Sequence, residues 1–449
     1  MLTPFKLTHL GGESCVTGSC HLVQANGLNI LVDCGMVQGG DRALSLDDWP
    51  VRPPQIHYIL LTHTHIDHIG RLPELVRRGF RGEILATHPT KALLIPMLHD
   101  ALSFSDWGEE EATAVIRKID ELSWGFEYGE PFALKNGLRF TFSRAGHILG
   151  SAFVHLESES PHSSILFSGD LGAKDTPLLP DPDLPPACDL LVLESTYGDR
   201  FHESRSDRVE RLGQVLVRAV SDGGKVFIPA FALGRVQELL YELNQLHTNE
   251  VLKDKFPQLA KLQRIPVMVD SPLGLELTKI ASNLSEYWDR EAKAQLRQGD
   301  HPLNFNHLYA VANHKDHLKL LESPGPMVIL AGSGMCTGGR IVDHLKAGIE
   351  DPRNDIVFVG YQAHGTPGRY IQEYAGKPGG YVELEGERCS LGARIHVLGG
   401  YSAHADQKEL IEWVQSMPEK PGSIKLVHGE AGARKVLGDD LRSRGYEVA

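Results

Sequence analysis

At 449 residues the chain exceeds what one hydrophobic core usually serves, so two domains, or one domain carrying a large insertion, are expected. Its 41% hydrophobic and 23% charged residues are those of a globular protein, no apolar run reaches the roughly 18 residues that span a bilayer, and the stretch Met1–Lys6 lacks a signal-peptide pattern. A formal charge of −13 argues against gripping long duplex nucleic acid, and six scattered cysteines with no Cys-x-x-Cys pair exclude a zinc ribbon or disulfide framework and fit the cytoplasm.

The first 200 residues read as short strands joined by Gly-rich loops, at 18–25, 28–33, 57–61, 83–87, 138–143, 152–157, 164–168 and 190–194. Helical patterns interrupt them at 68–78, 90–103 and 109–122, which suggests layered sheets flanked by helices. After Tyr197-Gly198-Asp199 the rhythm changes. Helix 205–222, strand 225–228, helix 235–247, strand 267–270, helices over 273–298, strand 327–331, helix 339–349 and strand 356–359 alternate, and that alternation implies a parallel sheet with crossover helices. Lys377-Pro378-Gly379-Gly380 reads as an exit linker. The remaining tail, with strands 394–398 and 424–427 and helices 406–416 and 433–443, is too short for its own core. It is expected to pack back onto the first domain, which makes the middle an insertion.

The chemistry begins at His63-Thr64-His65-Ile66-Asp67-His68, directly after the apolar strand Tyr58-Ile59-Leu60-Leu61. Residues two apart in extended backbone share a face, so His63 and His65 can address one metal. A turn into helix then lets Asp67 and His68 reach a second one. Imidazole and carboxylate suit zinc, and also manganese or iron. Four further candidates sit beside glycine at strand ends: His147, Asp170, His404 and His428. An aspartate, with two oxygens, is the natural bridge between two metals. Asp33, at the end of another apolar strand, can orient ligands from behind.

These motifs together resemble the metallo-β-lactamase superfamily and, within it, the β-CASP nucleases. Asp33, the His63–His68 cluster, His147 and Asp170 are similar, in order, to the metal-site motifs of that superfamily. Glu194 in Glu194-Ser195-Thr196-Tyr197-Gly198, His404 and His428 are similar to the three motifs particular to β-CASP members. The resemblance implies an α/β fold, a metallo-β-lactamase αββα sandwich with an inserted β-CASP domain built on a parallel sheet flanked by helices. It implies a first part at 1–201, the insertion at 202–384 and a C-terminal part at 385–449. It also implies two zinc ions per chain, with manganese as the alternative: one held by His63, His65 and His147, the other by Asp67, His68 and His428, with Asp170 bridging. His404, Glu194 and Asp67 take catalytic roles, His404 as general acid with Glu194 on its other ring nitrogen.

Histidine at the last motif is the RNA-processing pattern of the family, as in compact bacterial and archaeal relatives of the pre-mRNA 3′-end processing endonuclease. The expected activity is therefore hydrolysis of single-stranded RNA by a metal-activated hydroxide, leaving 5′-phosphate and 3′-hydroxyl ends, with no membrane partner. An endoribonuclease is expected first. The alternatives are a 5′-to-3′ exoribonuclease, a DNA nuclease or a small-molecule hydrolase on the same metal core. Three Gly-rich turns before helices offer phosphate contacts through Arg235, through Ser333, Gly334 and Arg340, and through Thr366 and Arg369.

Overall fold

The structure, a computed structural model, describes residues 5–205, 207–257 and 265–449. Residues 1–4 of the N-terminal stretch and Ser206 of the helix expected over 205–222 lie outside the described residues. The chain forms two compact units, Met1–Phe201 with Ala403–Ala449, and His202–Ser402.

The first unit contains two six-stranded sheets. One runs in the order Lys6–Gly11, Cys20–Ala25, Leu28–Val32, Tyr58–Leu60, Glu83–Thr87, Ser123–Phe126. The other runs Ser423–Val427, Leu190–Glu194, His162–Phe167, Ala152–Glu159, Leu138–Arg144, Pro131–Ala133. Alternation along the strands assigns their faces. Val154, Ile165, Phe167 and Val192 meet Val23, Ile30, Leu60 and Leu85 of the first sheet in one core. Their neighbours Phe153, Leu166, Leu191 and Leu193 point the other way, onto Leu410, Ile411, Trp413, Leu437 and Leu441 of helices Gln407–Gln415 and Ala431–Ser443. Helices His88–Ser103 and Glu109–Leu122 cover the outer face of the first sheet at Glu83–Thr87. This is the four-layer α/β arrangement that the resemblance implies.

Parallel pairing concentrates chemistry in this unit. Leu28–Val32 and Tyr58–Leu60 are parallel neighbours, as are His162–Phe167, Leu190–Glu194 and Ser423–Val427. Their carboxyl ends therefore lie on one side of each sheet, and at or just past those ends come Asp33, His63, Asp170, Glu194 and His428.

The second unit is built on an all-parallel sheet ordered Leu308–Ala310, Val267–Val269, Met327–Ala331, Lys225–Pro229, Asp355–Phe358, Arg394–Val397. Its central strands are apolar on both faces, with Val226, Phe227, Ile228, Val328, Ile329 and Leu330 all buried, as a doubly covered sheet requires.

The second domain boundary differs from the sequence reading. The chain leaves the insertion after Ser402, not after 384. Strand Arg394–Val397, expected in the C-terminal part, pairs instead with Asp355–Phe358. The Lys377–Gly380 stretch is a turn rather than a linker: Lys377 N–H donates to Tyr374 O and Gly380 N–H to Lys377 O. It leads into the hairpin Tyr381–Leu384 and Glu387–Ser390, whose Val382, Leu384 and Cys389 enter the core of the unit.

Candidate metal centre

Past strand Tyr58–Leu60 the chain bends at Thr62 and reaches His65, whose extended backbone caps the short helix Ile66–Ile69. His63 and His65 project to one side, their ring nitrogens 3.1 Å apart, while Asp67 and His68 follow on the helix. The loop after Asp33 passes directly beneath this turn. A Cβ on Gly35 would stand 1.6 Å from Asp67 O, so only glycine fits there.

Two groups of ligand atoms result, each within a span of 4.8 Å. In the first, His65 Nδ1 is 3.1 Å from both His63 Nε2 and His147 Nε2, and Asp170 Oδ2 is 3.5 and 3.7 Å from the latter two. In the second, His68 Nε2 is 3.2 Å from His428 Nε2, and Asp67 Oδ2 is 3.4 Å from His428 Nε2. Asp170 Oδ1 faces that second group, 3.3 Å from His68 and 3.6 Å from His428. One carboxylate therefore addresses both groups with different oxygens.

The donor set fits a pair of divalent ions. Ligands about 2.1 Å from a tetrahedral ion stand about 3.4 Å apart, and the separations above cluster around that value. A neutral imidazole has one donor to share, so His65 Nδ1 between two other ring nitrogens is better served by a cation than by hydrogen bonds. Among the described residues Asp170 Oδ1 is buried without a hydrogen-bond partner. Burial holds His63 and His147 well below the ordinary histidine value and His65 down to about 4, which keeps the first group in the neutral form that coordinates. Burial also opposes charge on His68, but Asp170, Asp33 and Asp67 outweigh it and raise His68 well above its ordinary value.

Outer hydrogen bonds fix the rings. His68 Nδ1 donates to Asp33 Oδ2 at 2.7 Å, and that carboxylate also accepts Thr62 N–H and Thr62 Oγ–H, each at 2.8 Å. His428 Nδ1 meets Thr196 Oγ1 at 3.1 Å. Ser151 Oγ accepts His147 N–H at 2.9 Å. Thr62, Thr196 and Ser151 were not singled out in the sequence. Each stands one or a few residues from a motif residue, and that adjacency was the only available signal.

Beside the two groups lies a third, of Asp170, Glu194 and His404. His404 Nδ1 is 3.2 Å from Glu194 Oε1, and its Nε2 is 3.9 Å from Asp170 Oδ2. Burial disfavours its charged form, yet Glu194, Asp170 and Asp67 prevail and raise it to about 9. These carboxylates favour the protonated ring, which is held at the edge of the ligand cluster.

Three family models cover the chain: the metallo-beta-lactamase superfamily at residues 14–230, the Beta-Casp domain at 236–371, and the Zn-dependent metallo-hydrolase RNA specificity domain at 390–449. Ribonuclease TTHA0252 of Thermus thermophilus is 40% identical over 447 residues, spanning 99% of this chain and 97% of that protein. The chain belongs to the β-CASP branch of the metallo-β-lactamase superfamily. It shares 31% identity with the transcription termination factor FttA of Methanosarcina mazei and 32% with that of Pyrococcus horikoshii, covering 95% of this chain but 67% and 66% of those longer proteins. A crystal structure of a protein of unknown function from Enterococcus faecalis V583 has the same fold, with a TM-score of 0.55 at 12% identity over 99% of this chain and 97% of that one. As a β-CASP protein the chain is a metal-dependent hydrolase, and among the described residues no helix is long and apolar enough to cross a membrane.

The expected phosphate-binding residues all fall in the second unit, where the three arginines have acidic neighbours. Arg235 is buried against Glu238. Arg340 donates to Asp270 Oδ1 at 2.6 Å and to Val311 O at 2.7 Å. Arg369 is paired with Glu373 at 2.7 Å. All three guanidinium groups are committed to acids of their own unit. Ser333 Oγ accepts Thr337 N–H at 2.9 Å, Gly334 O accepts from Gln362, and Thr366 caps helix Pro367–Tyr374.

Asp270, His317 and His344 form another buried group in that unit, unforeseen in the sequence. Asp270 Oδ2 lies 2.6 Å from a ring nitrogen of each histidine. Those are hydrogen-bond distances, well short of the separations in the first unit, so this group is a hydrogen-bonded hub that anchors Arg340.

Proposed function

We propose that this chain is a zinc-dependent ribonuclease, an endoribonuclease of RNA processing or decay whose substrate is single-stranded RNA. The observation that carries the reading is a proton donor, His404, set 3.9 Å from the carboxylate that two groups of metal ligands share. Hydrolysis of a phosphodiester needs that combination, because the departing O3′ is a poor leaving group until protonated. The names of the relatives, a ribonuclease and transcription termination factors, and the RNA specificity model over residues 390–449 support RNA as the polymer.

In this reading His63, His65 and His147 would hold one zinc and Asp67, His68 and His428 the other, with Asp170 facing both groups. When bound, the ions supply Lewis acidity towards the phosphoryl group and acidify a nucleophilic water. Asp33 keeps His68 oriented through Nδ1. Glu194 holds Nδ1 of His404, which leaves Nε2 to give its proton to O3′, and the products carry 5′-phosphate and 3′-hydroxyl ends. Ser333, Gly334, Thr366 and the three arginines remain candidates for phosphate contact, the arginines at present paired with acids of their own unit.

Incubation of the protein with 5′-labelled RNA, DNA and a chromogenic lactam, with and without chelator, tests the assignment. RNA cleavage that chelator abolishes and zinc restores is expected. RNA cleavage indifferent to chelator, or hydrolysis of the lactam alone, would sink it. Internal fragments from both 5′-phosphorylated and 5′-hydroxyl RNA are expected of an endonuclease, whereas dependence on the 5′-phosphate would indicate the exonucleolytic mode.

A further inference from the structure

Helix Pro367–Tyr374 turns Gly368 and Ile371 inward, which leaves Tyr370 and Tyr374, one helical turn apart, on its outer face. The hairpin that follows buries Val382, Leu384 and Cys389 and presents Tyr381 and Arg388 outward. The two outer faces meet. Tyr370 and Tyr374 have ring centroids 6.3 Å apart, and Tyr374 and Tyr381 lie 6.5 Å apart with planes inclined by only 15°. The three rings are 38%, 41% and 44% exposed. Large rings clustered in water, with core residues already filling the opposite face, mark a surface built for contact.

Cations are interleaved with the rings. Arg388 Cζ lies 3.7 Å over Tyr381, and Lys377 Nζ lies 4.9 Å over Tyr374. Glu383 stands opposite Arg388 in the hairpin, yet the guanidinium rests on the ring. Among the described residues neither Lys377 nor Arg388 forms an ion pair, in contrast to Arg369 with Glu373. Both cations thus stand beside exposed aromatic faces, with Glu383 across the hairpin from Arg388 and Glu385 drawn instead to Lys346.

We propose that Tyr370, Tyr374, Tyr381, Lys377 and Arg388 form a stacking platform for single-stranded RNA. Unpaired bases stack on the ring faces left open and on the Arg388 guanidinium plane, which itself covers one face of Tyr381, while Lys377 meets a phosphate. A duplex hides its base faces and cannot use the ladder. A protein partner would leave both cations to be matched by acidic side chains. The proposal rests on the ribonuclease reading for its ligand, but it concerns a surface made wholly of the second unit.

The test uses the zinc-loaded, full-length protein and an unstructured oligouridine carrying 4-thiouridine, with photo-crosslinking read against RNA concentration. Tyr374→Ala and Tyr381→Ala are each expected to weaken RNA about tenfold. Tyr374→Phe and Tyr381→Phe are expected to bind as the wild type does, and Arg388→Gln to bind more weakly. Hydrolysis of bis(p-nitrophenyl) phosphate, which reports the metal centre alone, and the thermal transition should stay unchanged. Unaltered crosslinking in the alanine double variant overturns the platform, as does loss of self-association in place of RNA. If an alanine variant fails to fold, Arg388→Gln decides in the same way. Crosslinking reads occupancy without turnover, so a wild-type protein that binds RNA here but never cuts it would refute the ribonuclease reading and leave the platform standing.

Discussion

His404 Nδ1 lies 3.2 Å from Glu194 Oε1, and the same oxygen accepts the Leu171 amide at 2.7 Å. A buried backbone donor thus fixes the carboxylate that in turn fixes the ring, so the direction of Nε2 is set by main chain as well as side chain.

Removal of that carboxylate charge should be visible in pH dependence. With His404 raised to about 9, the protonated acid persists through neutral pH and activity is lost as pH rises through that value. Glu194→Gln removes a neighbour that favours the charged ring. The alkaline limb of the kcat profile is expected to move to lower pH by roughly 1–2 units. An unmoved limb would show that another group sets it.

Removal of His404 itself separates donor from ligand. His404→Ala is expected to retain both metal equivalents by elemental analysis while kcat falls by about 10²–10⁴. Loss of one equivalent would make His404 a ligand instead.

Asp170 and His428 should differ in how much metal they cost. Asp170 faces both ligand groups, whereas His428 faces one. Asp170→Asn is therefore expected to deplete both ions, and His428→Ala to leave one equivalent behind. Equal depletion in the two variants would remove the bridging role.

Asp33 touches no ion in the proposed arrangement, but it holds His68 and Thr62. Asp33→Ala is expected to weaken metal binding about 10–100-fold in a competition titration with a chromogenic chelator, with the fold intact by circular dichroism. Unchanged affinity would mean that His68 keeps its orientation without help.

The metal cluster was legible because four of its residues are consecutive or alternate in the chain, so local geometry alone brings them together. His147, Asp170 and His428 were legible only as strand-end residues beside glycine, and the resemblance was needed to sort them. The second boundary lies later than the Gly-rich stretch at 377–380 suggests, for a physical reason. Arg394–Val397 is a short strand with Arg394 and His396 in it, and its membership is decided by pairing with Asp355–Phe358, far back in the chain. Gly-Arg before a helix suggests a phosphate loop, but it carries no trace of Asp270, 70 positions before Arg340, which claims that guanidinium. Exposed tyrosines gave no signal at all, because the ladder joins a helix to a hairpin across a turn that looked like a linker.

The second sheet of the first unit ends on Ser423–Val427, which pairs with Leu190–Glu194 only after the whole insertion has intervened. During synthesis, His63, His65, His147 and Asp170 leave the ribosome long before His404 and His428. In the proposed arrangement the first group of candidate ligands is therefore made before the proposed proton donor and the second group's His428. Chain order thus separates the two halves of the candidate site by the whole length of the insertion.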